Sequence, residues 1–269
     1  MIIQGIGGHS GQEVMLDMRL SEEPGIWFTL PQGRVRAHVD HVISTNMCTT
    51  IKQGEAYIST VEHLLSACSA FGIDRLSVTV IGGNEVPLMD GSALPFYNAL
   101  KSIIFGNPVY TKGFAMVRGV ARDTPIKVEN ERGWIEFTPH DEMIFDVIVD
   151  APFPKQHFRF NALKDDYEKE IAPARTFGFY KDGQHLKKNG MALGSDFTNT
   201  IVLSDDGKIL NPEGLRYSEE LARHKILDAM GDLALGESQI TGYYRAVNPS
   251  HTLNVDLLRR LKALTPTSL

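Results

Sequence analysis

Cysteine is nearly absent from the 269 residues: Cys48 and Cys68 are the only two. That is too few for a disulfide framework or a cysteine-held zinc, so the chain is expected in a reducing cytoplasm with any metal on His and Asp side chains. Long apolar runs are missing as well. None approaches the roughly 20 residues that a membrane-spanning helix needs, and Met1 followed by IIQGIGGHSG lacks the basic opening, apolar stretch and cleavage site of a secretory signal. Positive charge is not in excess: 27 Lys and Arg against 33 Asp and Glu leave a net charge of −6, which argues against nucleic-acid binding. A few cations gathered in one cleft can still hold the phosphates of a small molecule. Low-complexity tracts and blocks of like charge are also missing. The remainder is a globular composition, 42% hydrophobic, long enough for one large domain or two of about 100 to 150 residues.

Short alternating runs dominate the first part. Glu13 to Leu20, Ile26 to Leu30, Arg34 to Val39 and Cys48 to Lys52 read as strands broken by Pro24-Gly25 and Gln32-Gly33. Ser59 with Glu62 three residues on has the form of a capping box, and Val61, Leu64, Leu65, Ala67, Cys68 and Phe71 give the helix behind it an apolar face up to Gly72. A strand from Leu76 to Ile81, a turn at Gly82-Gly83-Asn84 and a helix from Leu94 to Phe105 follow, and Asn107-Pro108 is the expected domain boundary. The second part repeats the plan, with strands near Thr111 to Val117, Trp134 to Thr138 and Met143 to Val149, a helix from about Glu219 to Leu235, a strand near Ile240 to Val247 and a last helix from Thr252 to Leu264. In both halves a helix carrying a His is followed by a glycine, a strand, a turn and a closing helix. This predicts an α+β fold made of two similar domains, 1–108 and 109–269, from one duplicated unit. Residues from about 177 to 211, with a helix over Lys181 to Asn189 and a strand over Thr200 to Leu203, have no counterpart in the first half and read as an insert. Two such halves create a cleft between them, where sites preferentially occur.

The chemistry-bearing stretch is RHKILDAMGDL, Arg223 to Leu233. On a helix, His224, Asp228 and Asp232 share one stripe with Lys225 beside it, while Ala222, Ile226, Leu227, Ala229, Met230 and Leu233 fill the other side. Two readings fit that stripe. One is a solvated helix face with a weak His/Asp ion pair. The other is a metal site, since a His and a carboxylate four residues apart can reach one Zn²⁺, but a catalytic zinc needs a third protein ligand. Thr60-Val61-Glu62-His63 offers one if the halves face each other. Glu62 is explained by the capping box alone; beside a metal formed by His63, His224 and Asp228 it would instead take the proton of an activated water. His251, in Pro-Ser-His-Thr ahead of the last helix, reads as a loop residue that is either plain surface or a general acid in the cleft, with Asp232 fixing its tautomer and raising its pKa.

TVEHLLSA (60–67), MDGSALPF (89–96), ARTFGF (174–179), LGSDFTNTIV (193–202), LNPEGLRYSEELARHKILDAMGDL (210–233) and SHTLN (250–254) together resemble the UDP-3-O-acyl-N-acetylglucosamine deacetylases, zinc amidases of lipid A biosynthesis. The resemblance covers nearly the full chain, and its motifs stand in the family's order. It implies two α+β domains with their helices sandwiched between two sheets. It implies Zn²⁺ on His63, His224 and Asp228, with Glu62 as general base and His251 as a cationic partner held by Asp232. It also implies Thr176 at the oxyanion, Phe177 near the sugar, Lys225 near the substrate's diphosphate, and an apolar passage for the acyl chain in the insert.

Some positions depart from the family pattern. Gly7-Gly8-His9-Ser10-Gly11 has Gly8 where a Leu is common, and His9 carries over as a substrate-binding residue. Ala151-Pro152 replaces a common His-Pro pair, Thr198 replaces an Asp usual in the insert, and the first half is shorter than usual between Leu30 and Cys48. The expectation is a monomeric cytoplasmic zinc amidohydrolase acting on a UDP-linked, 3-O-acylated N-acetylglucosamine, without nucleic acid or membrane span. A paralogous deacetylase of another N-acetylated sugar nucleotide and a non-catalytic zinc-stabilised sugar-nucleotide binder are the alternatives.

Overall fold

A computed structural model describes residues 1–105, 125–236 and 240–264. The expected boundary at Asn107-Pro108 and the expected strand from Thr111 to Val117 lie outside the described residues. The first half runs β1 (Ile2–Ile6), β2 (Glu13–Leu20), β3 (Gly25–Leu30), β4 (Gly33–Arg36), a small antiparallel sheet of β5 (Val42–Ser44), β6 (Thr50–Gln53) and β7 (Ala56–Ile58), then α1 (Glu62–Phe71), β8 (Arg75–Ile81) and α2 (Leu94–Phe105). The second runs β9 (Ile126–Glu129), β10 (Trp134–Thr138), β11 (Met143–Val149), β12 (Gln156–Asn161), α3 (Tyr167–Glu170), β13 (Phe177–Phe179), α4 (Tyr180–Lys188), β14 (Ile201–Leu203), α5 (Glu220–Leu233), β15 (Gly242–Val247) and α6 (His251–Leu264).

The two large sheets have one topology. Their orders are β1-β2-β8-β3-β4 and β9-β10-β15-β11-β12, so in each half the last strand in chain order inserts between the second and the third. It lies antiparallel to the second, as Met18 opposite Val78 and Phe137 opposite Tyr244 show, and parallel to the third. The duplication read from the helix-glycine-strand-turn-helix pattern is therefore present as strand order. The strand expected to continue from Arg34 to Val39 stops at Arg36, and Val39–His41 forms a 3-10 turn instead.

Alternation explains which face of each sheet turns inward. Val14, Leu16 and Met18 of β2, Leu76, Val78 and Val80 of β8, Ile135 and Phe137 of β10, and Tyr244 and Ala246 of β15 are buried, with partly or fully exposed residues between them. These inner faces join residues of α1, α2, α5 and α6 in a single apolar cluster. α1 packs along α5 and α2, while α5 also packs on β11, β12 and α6. A second cluster under the insert joins Val149, Ile201, Leu203 and Leu221 to Phe153, Phe177 and Phe179. Among the described residues no helix is long and apolar enough to cross a membrane.

Candidate metal centre

α5 carries its polar stripe into the middle of the molecule. His224, Asp228 and Asp232 are 2%, 3% and 0% exposed, respectively, and Lys225 alone on this helix is not buried. The solvated helix face is thereby excluded, and a stripe this deep needs partners for every polar atom.

The start of α1 lies against this stripe, and Gly231 sets how close it comes. A Cβ on Gly231 would lie 2.0 Å from the Glu62 carbonyl oxygen. Glycine inside a helix costs about 1 kcal/mol relative to alanine, and here it lets two backbones meet so that Glu62 and His63 lie against the acidic stripe. The expected capping box is absent. α1 begins at Glu62 behind Val61 with no side-chain cap, because Thr60 adopts a left-handed φ of 59° that keeps Ser59 off the helical path. The Ser59 hydroxyl accepts from Thr50 Oγ1, and Glu62 Oε2 accepts from the Thr49 N–H at 3.1 Å.

His63, His224 and Asp228 each offer one ligand atom, and these atoms lie within 4.8 Å of one another. His224 Nδ1 is 3.0 Å from the Ala174 carbonyl oxygen; a carbonyl only accepts, so Nδ1 carries the proton and Nε2 presents a lone pair. That lone pair sits 3.3 Å from Asp228 Oδ1, a buried oxygen without a hydrogen-bond partner. Two acceptors face each other, an arrangement that a cation between them relieves. His63 Nε2 stands 3.9 Å from the same oxygen. Burial, reinforced by His224, pushes His63 down to about 3, and burial also lowers His224, so both rings are neutral at pH 7. Burial by itself would raise the Asp228 carboxyl, but His224, Lys225, His251 and His63 outweigh it and hold it well below the usual carboxylate range. Two neutral imidazoles and one carboxylate form the donor set of a divalent metal that keeps an open position.

Two further buried ionisable groups adjoin this cluster. Burial pushes Glu62 up to about 8 against the opposing charge of His251, with Cys48, Asp232 and Asp228 adding to the rise. His251 is the first residue of α6 rather than a loop residue. Its Nδ1–H donates to Asp232 Oδ2 at 2.9 Å, and its Nε2 lies 3.9 Å from Glu62 Oε1. Burial disfavours the imidazolium, yet Asp232, Asp228 and Glu62 outweigh it and raise His251 to about 10. A cradle of two neutral imidazoles and one carboxylate thus sits next to a carboxyl with a raised pKa and a cationic imidazole.

The family model described as UDP-3-O-acyl N-acetylglycosamine deacetylase matches residues 1–263. The chain belongs to this family. Proteins named UDP-3-O-acyl-N-acetylglucosamine deacetylase resemble it throughout: that of Helicobacter hepaticus is 39% identical over 265 residues, covering 96% of this chain and 86% of the relative. That of Idiomarina loihiensis is 37% identical over 270 residues, with 96% and 86% covered. The Brucella ovis protein is 37% identical over 267 residues, with 96% and 91% covered. Membership in this deacetylase family brings a metal-dependent hydrolase class to the cluster of His63, His224 and Asp228.

The other residues expected from the deacetylase resemblance fall at different distances from that cluster. Phe177 packs edge-on at 6.0 Å from the His224 ring, and Lys225 Nζ lies 5.1 Å from the Phe177 ring while donating to Asp228 Oδ2 at 2.9 Å. Thr176 is tied through its backbone, its N–H donating to Gly91 and its carbonyl accepting from Ile201. His9 is fastened by its backbone to Glu85 Oε1 and to Leu193; among the described residues no hydrogen bond, ion pair or ring contact joins it to the metal cluster.

Several partners were not legible from the sequence. Arg175, 2% exposed, bonds the Glu220 carboxylate through its own N–H at 3.0 Å and Nε at 2.9 Å, which fixes the chain just ahead of Thr176; a charged residue between Ala174 and Thr176 was the available signal. Thr49 Oγ1 donates to Asp232 Oδ1 at 2.6 Å, Asn254 Nδ2 to Asp232 Oδ2 at 2.8 Å, and Tyr244 OH to Asn254 Oδ1 at 2.7 Å. Asn254, three residues after His251 on the same helix, had a spacing signal. Thr49 had none, because its partner lies 183 residues away.

Proposed function

We propose that this chain hydrolyses the 2-acetamido group of a UDP-linked, 3-O-acylated N-acetylglucosamine, releasing acetate in lipid A biosynthesis, with one Zn²⁺ on His63, His224 and Asp228. The observation that carries the reading is the orphaned Asp228 Oδ1 opposite the lone pair of His224 Nε2, beside a buried Glu62 and a cationic His251. Zinc in such a cradle supplies Lewis acidity toward a carbonyl and lowers the pKa of water from about 15.7 toward 7. Glu62 accepts the proton of the attacking water. The Thr176 hydroxyl donates to the oxygen on which negative charge develops. His251, held by Asp232, gives its Nε2 proton to the departing amine. Phe177 lines the sugar's place next to His224, Lys225 serves the substrate's diphosphate end, His9 is a further substrate-binding residue, and the insert receives the acyl chain. The division into 1–108 and 109–269 is supported by the shared strand order. A monomer in the reducing cytoplasm agrees with two buried free cysteines as regards the compartment.

The test is acetate release from the UDP-linked sugar with and without its 3-O-acyl chain. The expected result is turnover of the acylated substrate and far slower turnover of the unacylated one. Equal rates on both would move the chain to a different sugar-nucleotide deacetylase. Tight binding without acetate release would leave a binder.

A further inference from the structure

Thr49 is completely buried, 0% exposed, and spends all three of its polar groups on the start of α1 and on α5. Its N–H donates to Glu62 Oε2 at 3.1 Å, its carbonyl accepts from the Val61 N–H at 3.4 Å, and its hydroxyl donates to Asp232 Oδ1 at 2.6 Å. A hydroxyl has one proton, and Thr49 gives it to the Asp232 carboxylate. The Asp232 oxygens are then divided: Oδ1 takes Thr49, and Oδ2 takes His251 Nδ1 and Asn254 Nδ2. Glu62 is divided too, with Oε2 on Thr49 and Oε1 left 3.9 Å from His251 Nε2. That separation exceeds a hydrogen bond, so base and acid are not paired with each other. Glu62, Thr49, Asp232 and His251 form a chain of hydrogen bonds in which Thr49 is the sole link from the α1 carboxylate to the α5 carboxylate among the described hydrogen bonds.

We infer that Thr49 is a positioning residue that fixes the general base and the orienting carboxylate of the general acid in one frame, a role resting on the deacetylase reading above. Its N–H holds one Glu62 oxygen so that the other faces the cleft. Its hydroxyl stops the Asp232 carboxylate from turning, which keeps the His251 ring aimed. Catalytic groups held by such supporting bonds need no rearrangement as charge develops, and a loss of alignment near 1 Å can cost up to about 10²-fold in rate.

Thr49→Val keeps the backbone links and the shape but removes the hydroxyl. The expected result is kcat lowered on the order of 10-fold with KM and metal content little changed, and Thr49→Ser, which restores the donor, returning most of the loss. In an Asp232→Asn background Thr49→Val is expected to add almost nothing, because its route to His251 is already cut. A metal-free readout is the nuclear magnetic resonance of the His251 Nδ1 proton, expected to move in Thr49→Val and to return in Thr49→Ser. Wild-type turnover in Thr49→Val, an undiminished loss in the Asp232→Asn background, or an unmoved Nδ1 proton each overturns the inference. If Thr49→Val does not fold, Thr49→Ala is read in the same way. If the wild-type chain releases no acetate, the deacetylase reading fails, and the metal-free resonance alone then decides whether Thr49 positions His251.

Discussion

Glu62→Gln is expected to lower kcat on the order of 10²-fold or more, with folding and metal content near those of the wild type. The amide keeps an oxygen to accept the Thr49 N–H, the bond that anchors this side chain in the structure. It cannot take a proton. The sequence alone made Glu62 ambiguous, since a capping-box carboxylate would tolerate the same change; with Val61 as an uncapped helix start, that structural role is gone. Near-normal turnover of purified Glu62→Gln would remove the residue from the reaction.

The second large effect concerns His251 and Asp232. His251→Ala is expected to lower kcat on the order of 10²-fold or more across the pH range, within the usual contribution of acid–base catalysis. In the wild type, kcat/KM should be bell-shaped, with the alkaline limb carried by the imidazolium that Asp232 stabilises. Asp232→Asn removes that charge and should move the alkaline limb to lower pH with the metal retained. Because the groups of the site titrate together, the His251→Ala background separates them: the Asp232→Asn shift should vanish there. An equal shift in both backgrounds would mean that Asp232 acts on another group. Stability offers an independent check on the metal-free protein. His251 is raised from 6.5 to about 10, so the folded state holds the proton more tightly than the unfolded chain. Its contribution is full below pH 6.5 and is lost as pH rises through about 10. Denaturation across that window should show stability falling with pH, and the fall should be shallower in Asp232→Asn.

What the sequence made legible was local periodicity. The four-residue spacing of His224, Asp228 and Asp232 survives as one stripe of α5, and the repeated order of elements survives as two sheets with the same strand order. Misreadings arose where tertiary demands overrode a local pattern. Ser59 and Glu62 have the spacing of a cap, but Thr60 breaks the helical path and the buried carboxylate finds the Thr49 N–H. The polar stripe of α5 left a surface face and a metal site both open, because periodicity shows which residues share a side and not what covers it; α1 covers it, and Gly231 is the residue that permits the approach. Glycine in the middle of a helix was visible in the sequence, whereas its partner was not. The Thr49 bond to Asp232 joins residues far apart in the chain, and no spacing rule reaches that distance.

The proposed reaction requires a metal held by His63, His224 and Asp228, and its most direct test is a titration of Zn²⁺ into chelator-stripped protein with acetate release as the readout. The stripped wild type is expected to be inactive and to regain activity in proportion to added Zn²⁺ up to one ion per chain, while stripped Asp228→Ala, missing one of three ligands, neither retains the ion nor regains turnover. Full activity in the stripped wild type, or stoichiometric zinc and normal turnover in Asp228→Ala, would contradict it.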